Sequence, residues 1–265
     1  MNARPTLWHI PVSHYNEKAR WALDYKGVEH DRKAPLAGAH MAIALWLTRG
    51  RSYTFPVLEL DGRAVGDSTA IIAALEQRYP QPPLYPADPG ERQRALELEE
   101  WFDEELGPYI RRFAFHELRR DPERFSSVAA ASSPAWATRF RRLSLAYGRA
   151  FTGVRFGAAS DRAAKRARER VAAALDRLEA ELGESEYLVG DSFSVADLTA
   201  ASLFYPLVLP PEGPRQFEAP DSFAGFRESL RERRGFGWVE DTFRRHRRRG
   251  ATRAAEGPRA SAATR

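Results

Sequence analysis

Ser13-His14-Tyr15-Asn16-Glu17-Lys18-Ala19-Arg20 puts a hydroxyl between the end of an expected strand and the start of an expected helix. A serine there has two uses: it caps the helix, or it donates a hydrogen bond to an anion held at the helix N-terminus. Phe55-Pro56-Val57 opens another strand, where proline is allowed because a first residue need not donate to the ladder. Gly66-Asp67-Ser68 leads into a further helix, as a cap or as donors to a ligand. Ser194-Val195-Ala196-Asp197 reads as a capping box, with Phe193 and Leu198 as its hydrophobic staple. That last segment fixes a helix start and carries no catalysis.

Other chemistries drop out by residue type. The chain has no cysteine, so it holds no disulfide, no thiolate metal site and no nucleophilic or redox cysteine. Its six histidines are scattered and none belongs to an HExxH pair, so no metal site is expected. No GxGxxG, P-loop or recognisable Ser-His-Asp spacing is present.

Positioning these segments requires two kinds of architecture. Over the first 80 residues strand and helix signals alternate. Thr6 to Ile10 is β-prone, Asn16 to Tyr25 is helical with Gly27 as its stop, and Glu29 to Lys33 suits a second strand. Phe55 to Leu60, Asp61-Gly62 and Arg63 to Val65 form a hairpin signal, and Ser68 to Tyr79 is helical. The order β-α-β-(α)-β-β-α predicts a mixed sheet with helices against it. Pro80-Gln81-Pro82-Pro83, Pro86, Pro89 and Gly90 mark a linker.

Beyond it the pattern is helical: Glu91 to Glu117, Ala135 to Phe151, Arg162 to Leu182, Ser194 to Leu209 and Phe223 to Arg244. Ser194 to Leu209 is the most apolar and is expected to be the central buried helix. The expected domains are 1–80, α/β; 81–90, the linker; 91–245, all-helical; and 246–265, a basic disordered tail.

The 265 residues, 43% of them hydrophobic, suffice for a sizeable core. Of the formal charge of +5, the segment from Arg244 onward, with eight arginines and one glutamate, supplies +7 and leaves the body at −2. The body therefore lacks the basic footprint of a specific nucleic-acid binder. The opening residues show no leader pattern, and the longest apolar run, Leu198 to Pro211, is too short and proline-broken to span a bilayer. A soluble, cytoplasmic protein is expected.

Taken in this order and spacing, the segments resemble the cytosolic glutathione S-transferase superfamily over residues 1 to about 240. The resemblance implies a thioredoxin-like α/β N-terminal domain joined to an all-α helical-bundle C-terminal domain. Ser13 to Arg20 is similar to the first-helix motif of tau-like and omega-like members, which makes Ser13 the candidate catalytic residue, with Tyr15 and Asn16 as fallback donors. Phe55-Pro56 is similar to the segment whose cis-proline and preceding residue hold the cysteinyl part of glutathione, and Asp67-Ser68 to the motif that holds its γ-glutamyl end.

The implied reaction joins glutathione, or a substitute low-molecular-weight thiol, to an apolar electrophile lying between the domains. Trp101, Phe102, Tyr109, Phe113 and His116 are the candidate wall of that pocket; core packing explains the same stripe equally well. A homodimer is implied. The chain departs from the pattern at Asn16, where many relatives carry cysteine, at the bulky Phe55, and at Asp67 in place of glutamate. Cysteine-dependent thiol transfer is excluded. The competing expectation is a transferase-like binding or protein-interaction module without turnover.

Overall fold

The computed structural model describes residues 4–35, 39–131, 141–214 and 218–247. The N-terminal lobe follows the expected order: β1 (Thr6–Trp8), α1 (His14–Tyr25), β2 (Asp31–Lys33), α2 (His40–Leu47), β3 (Val57–Leu60), β4 (Arg63–Val65) and α3 (Ser68–Arg78). The sheet order is β2-β1-β3-β4. β1 runs parallel to β2, with Leu7 opposite Arg32, and antiparallel to β3, with Leu7 opposite Leu58. Period-two alternation splits the side chains between two faces. Leu7, Leu58 and Leu60 join Ala19, Leu23, Ile71 and Leu75 of α1 and α3 in the main core. Trp8 and Val57 turn the other way, onto Ala44 of α2.

The helical lobe comprises α4 (Pro89–Glu105), α5 (Gly107–Arg120), α6 (Pro122–Ala131), α7 (Arg141–Arg155), α8 (Asp161–Leu182), α9 (Val195–Val208), α10 (Asp221–Leu230) and α11 (Arg234–His246). The single stretch expected from Glu91 to Glu117 is two helices. Pro108 cannot donate to a continuing ladder, and Pro at the first turn suits a new helix instead. Gly107 beside it packs against Tyr15, whose hydroxyl leaves no room for a Cβ there. Phe223 to Arg244 likewise divides into α10 and α11. α6 had no expectation, and residues 135–140 of the expected Ala135–Phe151 helix lie outside the described residues.

α9 is buried along its whole length, as its composition predicts. At its start the Asp197 carboxylate accepts from the Ser194 backbone N–H and hydroxyl, both at 2.8 Å, and from the Leu188 N–H at 2.8 Å. Burial pushes the Asp197 carboxyl up to about 6 against those three donors. One core runs from Leu7 to Phe243, so the two lobes share a hydrophobic interior.

The body extends beyond the expected boundary at residue 245. Arg247 is buried beneath α1, donating to Glu17 at 2.5 Å and to Asp24 at 2.8 Å, while Trp21 Nε1 donates to the His246 carbonyl at 3.1 Å. Part of the basic run is therefore a clasp between lobes. Residues 248–265 lie outside the described residues.

Candidate active site

Ser13 is the N-cap of α1, its backbone extended while the next residue turns helical. Its Oγ accepts from the Asn16 backbone N–H at 3.4 Å and from Asn16 Nδ2 at 2.8 Å. Both partners are donors, so the hydroxyl's own proton is bonded to no described residue. The Asn16 amide is fully employed: Oδ1 accepts from the Ile10 N–H at 3.0 Å, and Nδ2 also donates to the Phe55 carbonyl at 3.3 Å. Arg20 grips the same loop from below through the carbonyls of Ile10 (3.2 Å) and Ser13 (3.3 Å). Its charge is balanced by Glu17 at 2.7 Å.

The Phe55–Pro56 peptide is cis, as the resemblance implied. Asn16 thus joins the α1 cap and the cis-proline turn in one hydrogen-bonded unit. Gly66 lies against that turn, where an added Cβ would come 3.3 Å from the Pro56 carbonyl oxygen. Asp67 follows as the N-cap of α3, Oδ1 accepting from Thr69 and Ala70 N–H at 3.0 and 3.1 Å. Ser68 is buried at the first position of α3. Ser13, Phe55-Pro56 and Asp67-Ser68, far apart in sequence, therefore converge at one end of the sheet.

The other expected participants are placed differently. The Tyr15 hydroxyl donates to the Asp103 carbonyl at 2.6 Å, and burial raises its pKa further out of reach. Asn16 is occupied with Ser13 and Phe55, so neither fallback donor has a free proton aimed beside Ser13. His14 Nε2 donates to the Gly107 carbonyl at 3.0 Å; burial, with the Arg111 charge adding to it, holds the imidazole at about 3 and so neutral.

The expected electrophile wall belongs to helix packing. Phe102 meets Phe204 of α9, and Phe113 stacks on Phe223 and meets Phe226 of α10. Trp101 lies under Arg177 and Tyr109 under Arg170, both of α8, and His116 Nδ1 reaches the Ala158 carbonyl at 3.0 Å. An apolar stripe at helical spacing marks a face toward neighbouring helices, and those are the contacts these five residues make.

The groups meeting the N-terminal lobe there come from other positions. Arg111 lies over the Tyr15 ring, Phe151 is 6.1 Å from His40, and His40 is 6.1 Å from Phe55. Arg155 Nη2 donates to the Tyr53 hydroxyl at 3.0 Å, and Phe115 stacks on Phe156. A hollow of about 670 Å³ under the linker, lined by Glu76, Tyr85, Arg92 and Phe193 among others, includes none of these residues.

Sequence reasoning also missed a buried junction beneath α3. Lys18 Nζ reaches Glu99 at 2.8 Å, Asp103 at 2.6 Å and the Thr69 hydroxyl at 2.9 Å, tying the turn after Ser68 to α1 and α4. Burial raises the Glu99 carboxyl even though Lys18 pulls it down. A lysine followed by alanine and arginine in an amphipathic helix looks like a solvated face, and only the approach of α4 shows otherwise.

A mixed four-stranded sheet flanked by helices and fused to a helical bundle, with its candidate site at a cis-proline turn, defines a class. Residues 7–83 match the glutathione S-transferase N-terminal domain family and residues 135–219 the C-terminal domain family. The chain belongs to the glutathione S-transferase superfamily.

A glutathione S-transferase from Methylobacterium radiotolerans, solved in complex with glutathione sulfonate, is 22% identical with a TM-score of 0.53 and covers 89% of this chain and 93% of its own. A theta-class glutathione S-transferase from Xanthomonas axonopodis, solved with glutathione bound, is 20% identical with a TM-score of 0.56, covering 88% and 95%. The β-etherase LigF from Sphingobium is 19% identical with a TM-score of 0.56, covering 90% and 99%. These likenesses show the fold. A probable maleylacetoacetate isomerase of Drosophila melanogaster is 32% identical over 108 residues, which span 37% of this chain and 41% of that relative. Among the described residues no helix is long and apolar enough to cross a membrane.

Proposed function

We propose that this chain is a glutathione-dependent transferase in which the Ser13 hydroxyl stabilises the thiolate of the tripeptide for attack on an electrophilic small molecule. The observation that carries the reading is the Ser13 hydroxyl itself, which accepts from Asn16 twice and keeps its proton to donate. At neutral pH a thiol of pKa about 8.5 is only a few per cent ionised. Lowering that value by about two units takes roughly 2.7 kcal/mol of preference for the anion. A charge-assisted bond from Ser13 contributes about 1.5–3 kcal/mol. The α1 N-terminus adds about 0.3–1 kcal/mol. The two suffice without a general base, and His14, held neutral against Gly107, supplies none.

Phe55 beside the cis-proline holds the cysteinyl backbone in this reading, while Asp67 and Ser68 hold the γ-glutamyl end; a substitute low-molecular-weight thiol would use the same places. The protein acts in the cytoplasm as a homodimer, and a sedimentation profile showing monomer ends the second half of that statement. The similarity to a probable maleylacetoacetate isomerase supports a second use of the same thiolate. Adding to an unsaturated carbon and leaving again would isomerise a substrate with no net consumption of thiol.

Calorimetric titration with glutathione tests the placement. Binding weakened by Ser68→Ala supports it. Absence of binding at millimolar ligand transfers the proposal to another thiol or to the non-catalytic module.

A further inference from the structure

Two arginines stand where the helical lobe faces the Ser13 and Phe55 turns. Arg111 on α5 sits 4.3 Å from the centroid of the Phe156 ring and 5.6 Å from that of Tyr15. Arg155, at the end of α7, sits 5.7 Å from the same Phe156 ring and 5.4 Å from Tyr53. Tyr15 is two residues beyond Ser13, and Tyr53 is two residues before Phe55, whose carbonyl shares Asn16 with Ser13. Arg155 is one helical turn beyond Phe151, whose ring lies 6.1 Å from His40, itself 6.1 Å from Phe55, and its charge acts on Arg111. The pair therefore stands together beside the Phe55 turn of the candidate site.

Among the described residues neither arginine has an anion. The fully buried arginines of the described chain are neutralised, Arg20 by Glu17 and Arg247 by Glu17 and Asp24, whereas Arg111 is largely buried without such a partner and Arg155 stands exposed beside it. Among the described residues no carboxylate pairs with Arg111 or Arg155. Arg111 Nε is sealed from solvent with no hydrogen-bond partner, an arrangement rare for a polar atom. Ring contacts recover only part of the cost of desolvating a guanidinium. A carboxylate fits such a fork with two parallel charge-assisted bonds.

We propose that the second substrate is an anionic electrophile, an aromatic or unsaturated body carrying a carboxylate that lies between Arg111 and Arg155 while its reactive carbon faces the thiolate. This rests on the transferase reading above and names its substrate class. The rings of Phe151, Phe156 and Tyr53 take the body, and the two guanidinium groups take the charge.

A matched pair of probes tests it: a chlorodinitrobenzoate with chlorine para to the carboxylate, and its methyl ester. In both, the thiol proton is lost to water, the sulfur bonds to the chlorine-bearing carbon, and chloride leaves with the electron pair of the broken C–Cl bond. Each kcat/KM is divided by the uncatalysed rate with glutathione. The expected result is an acid-to-ester ratio of about ten or more, falling about tenfold in Arg155→Gln and in Arg111→Gln, as loss of a charge-assisted bond requires. Arg155 is exposed, so its variant reads the site even where Arg111→Gln fails to fold.

A ratio near one that neither variant moves overturns the proposal and leaves the transferase standing. So does a loss confined to glutathione affinity, which would assign the arginines to the tripeptide's own carboxylates. Calorimetry with dinitrobenzoate and its methyl ester reads the anion site without turnover. If neither chlorinated probe reacts, the transferase reading fails, and preferential binding of the acid, lost in Arg155→Gln, still decides this one.

Discussion

Replacing Asn16 by alanine removes three side-chain hydrogen bonds from a residue with no exposed surface: to the Ile10 N–H, the Ser13 hydroxyl and the Phe55 carbonyl. At about 1 kcal/mol net for each, the expected destabilisation is about 3 kcal/mol. A domain of ordinary stability, about 5–15 kcal/mol, survives that loss. The functional effect is separate. Ser13 keeps only the long backbone donor, its proton is no longer held in one direction, and the bound thiol pKa rises by up to about one unit.

Turnover near neutral pH then falls by up to about tenfold, and the deficit closes at alkaline pH, where the thiol ionises unaided. Urea unfolding reads the first effect and a pH–rate profile the second. Asn16→Asp sharpens the test, because a carboxylate still accepts from Ile10 but cannot donate to Ser13 and takes the Ser13 proton for itself. It should be the slower variant of the two. An Asn16→Asp enzyme with the parental pH profile would refute the view that Asn16 aims the hydroxyl.

Other outcomes follow from the buried charges. Arg247→Ala leaves Glu17 and Asp24 short of a partner beneath α1 and should destabilise by about 3–5 kcal/mol in a denaturant titration. Burial raises the Glu17 carboxyl, but Arg247 and Arg20 together overcome it and hold it below the usual range. Its contribution is therefore complete above the unfolded carboxylate pKa and lost as pH falls through the folded value, so the alanine variant should show a smaller acid-induced loss. Asp197 has the opposite sign, its carboxyl pushed by burial up to about 6 from an ordinary value of 3.8. Its contribution falls, by an amount of order 3 kcal/mol, as pH rises between those values, and the difference in unfolding free energy between the parent and Asp197→Ala should show that slope.

The N-terminal lobe was legible because short-range rules write it. Asp61-Gly62 sets the hairpin, Gly27 ends α1, Ser13 and Asp67 cap their helices, and alternation sorts Leu7 from Trp8. α9 was legible because only a helix surrounded on every side can be apolar all round. The candidate electrophile pocket was not. Tyr109, Phe113 and His116 carry the conspicuous periodicity, and periodicity reports packing against α8 and α10.

The groups that do meet the N-terminal lobe there, Arg111 against Tyr15 and Arg155 against Tyr53, are a polar pair with no pattern to announce them. In sequence Asn16 is a departure from a cysteine motif, and its three partners exist only once β1, α1 and the cis-proline turn have met. Arg247 was hidden in the same way, because a run of arginines looks solvated until Glu17 and Asp24 are found buried beneath it.

The Ser13 hydroxyl is tested most directly by the pKa of glutathione bound to the protein, followed by the ultraviolet absorbance of the thiolate, for the parent and for Ser13→Ala. The expected result is a bound thiol about two units below its free value in the parent and a rise of about one to two units in the variant, with binding retained. An identical bound pKa in the two proteins would contradict it.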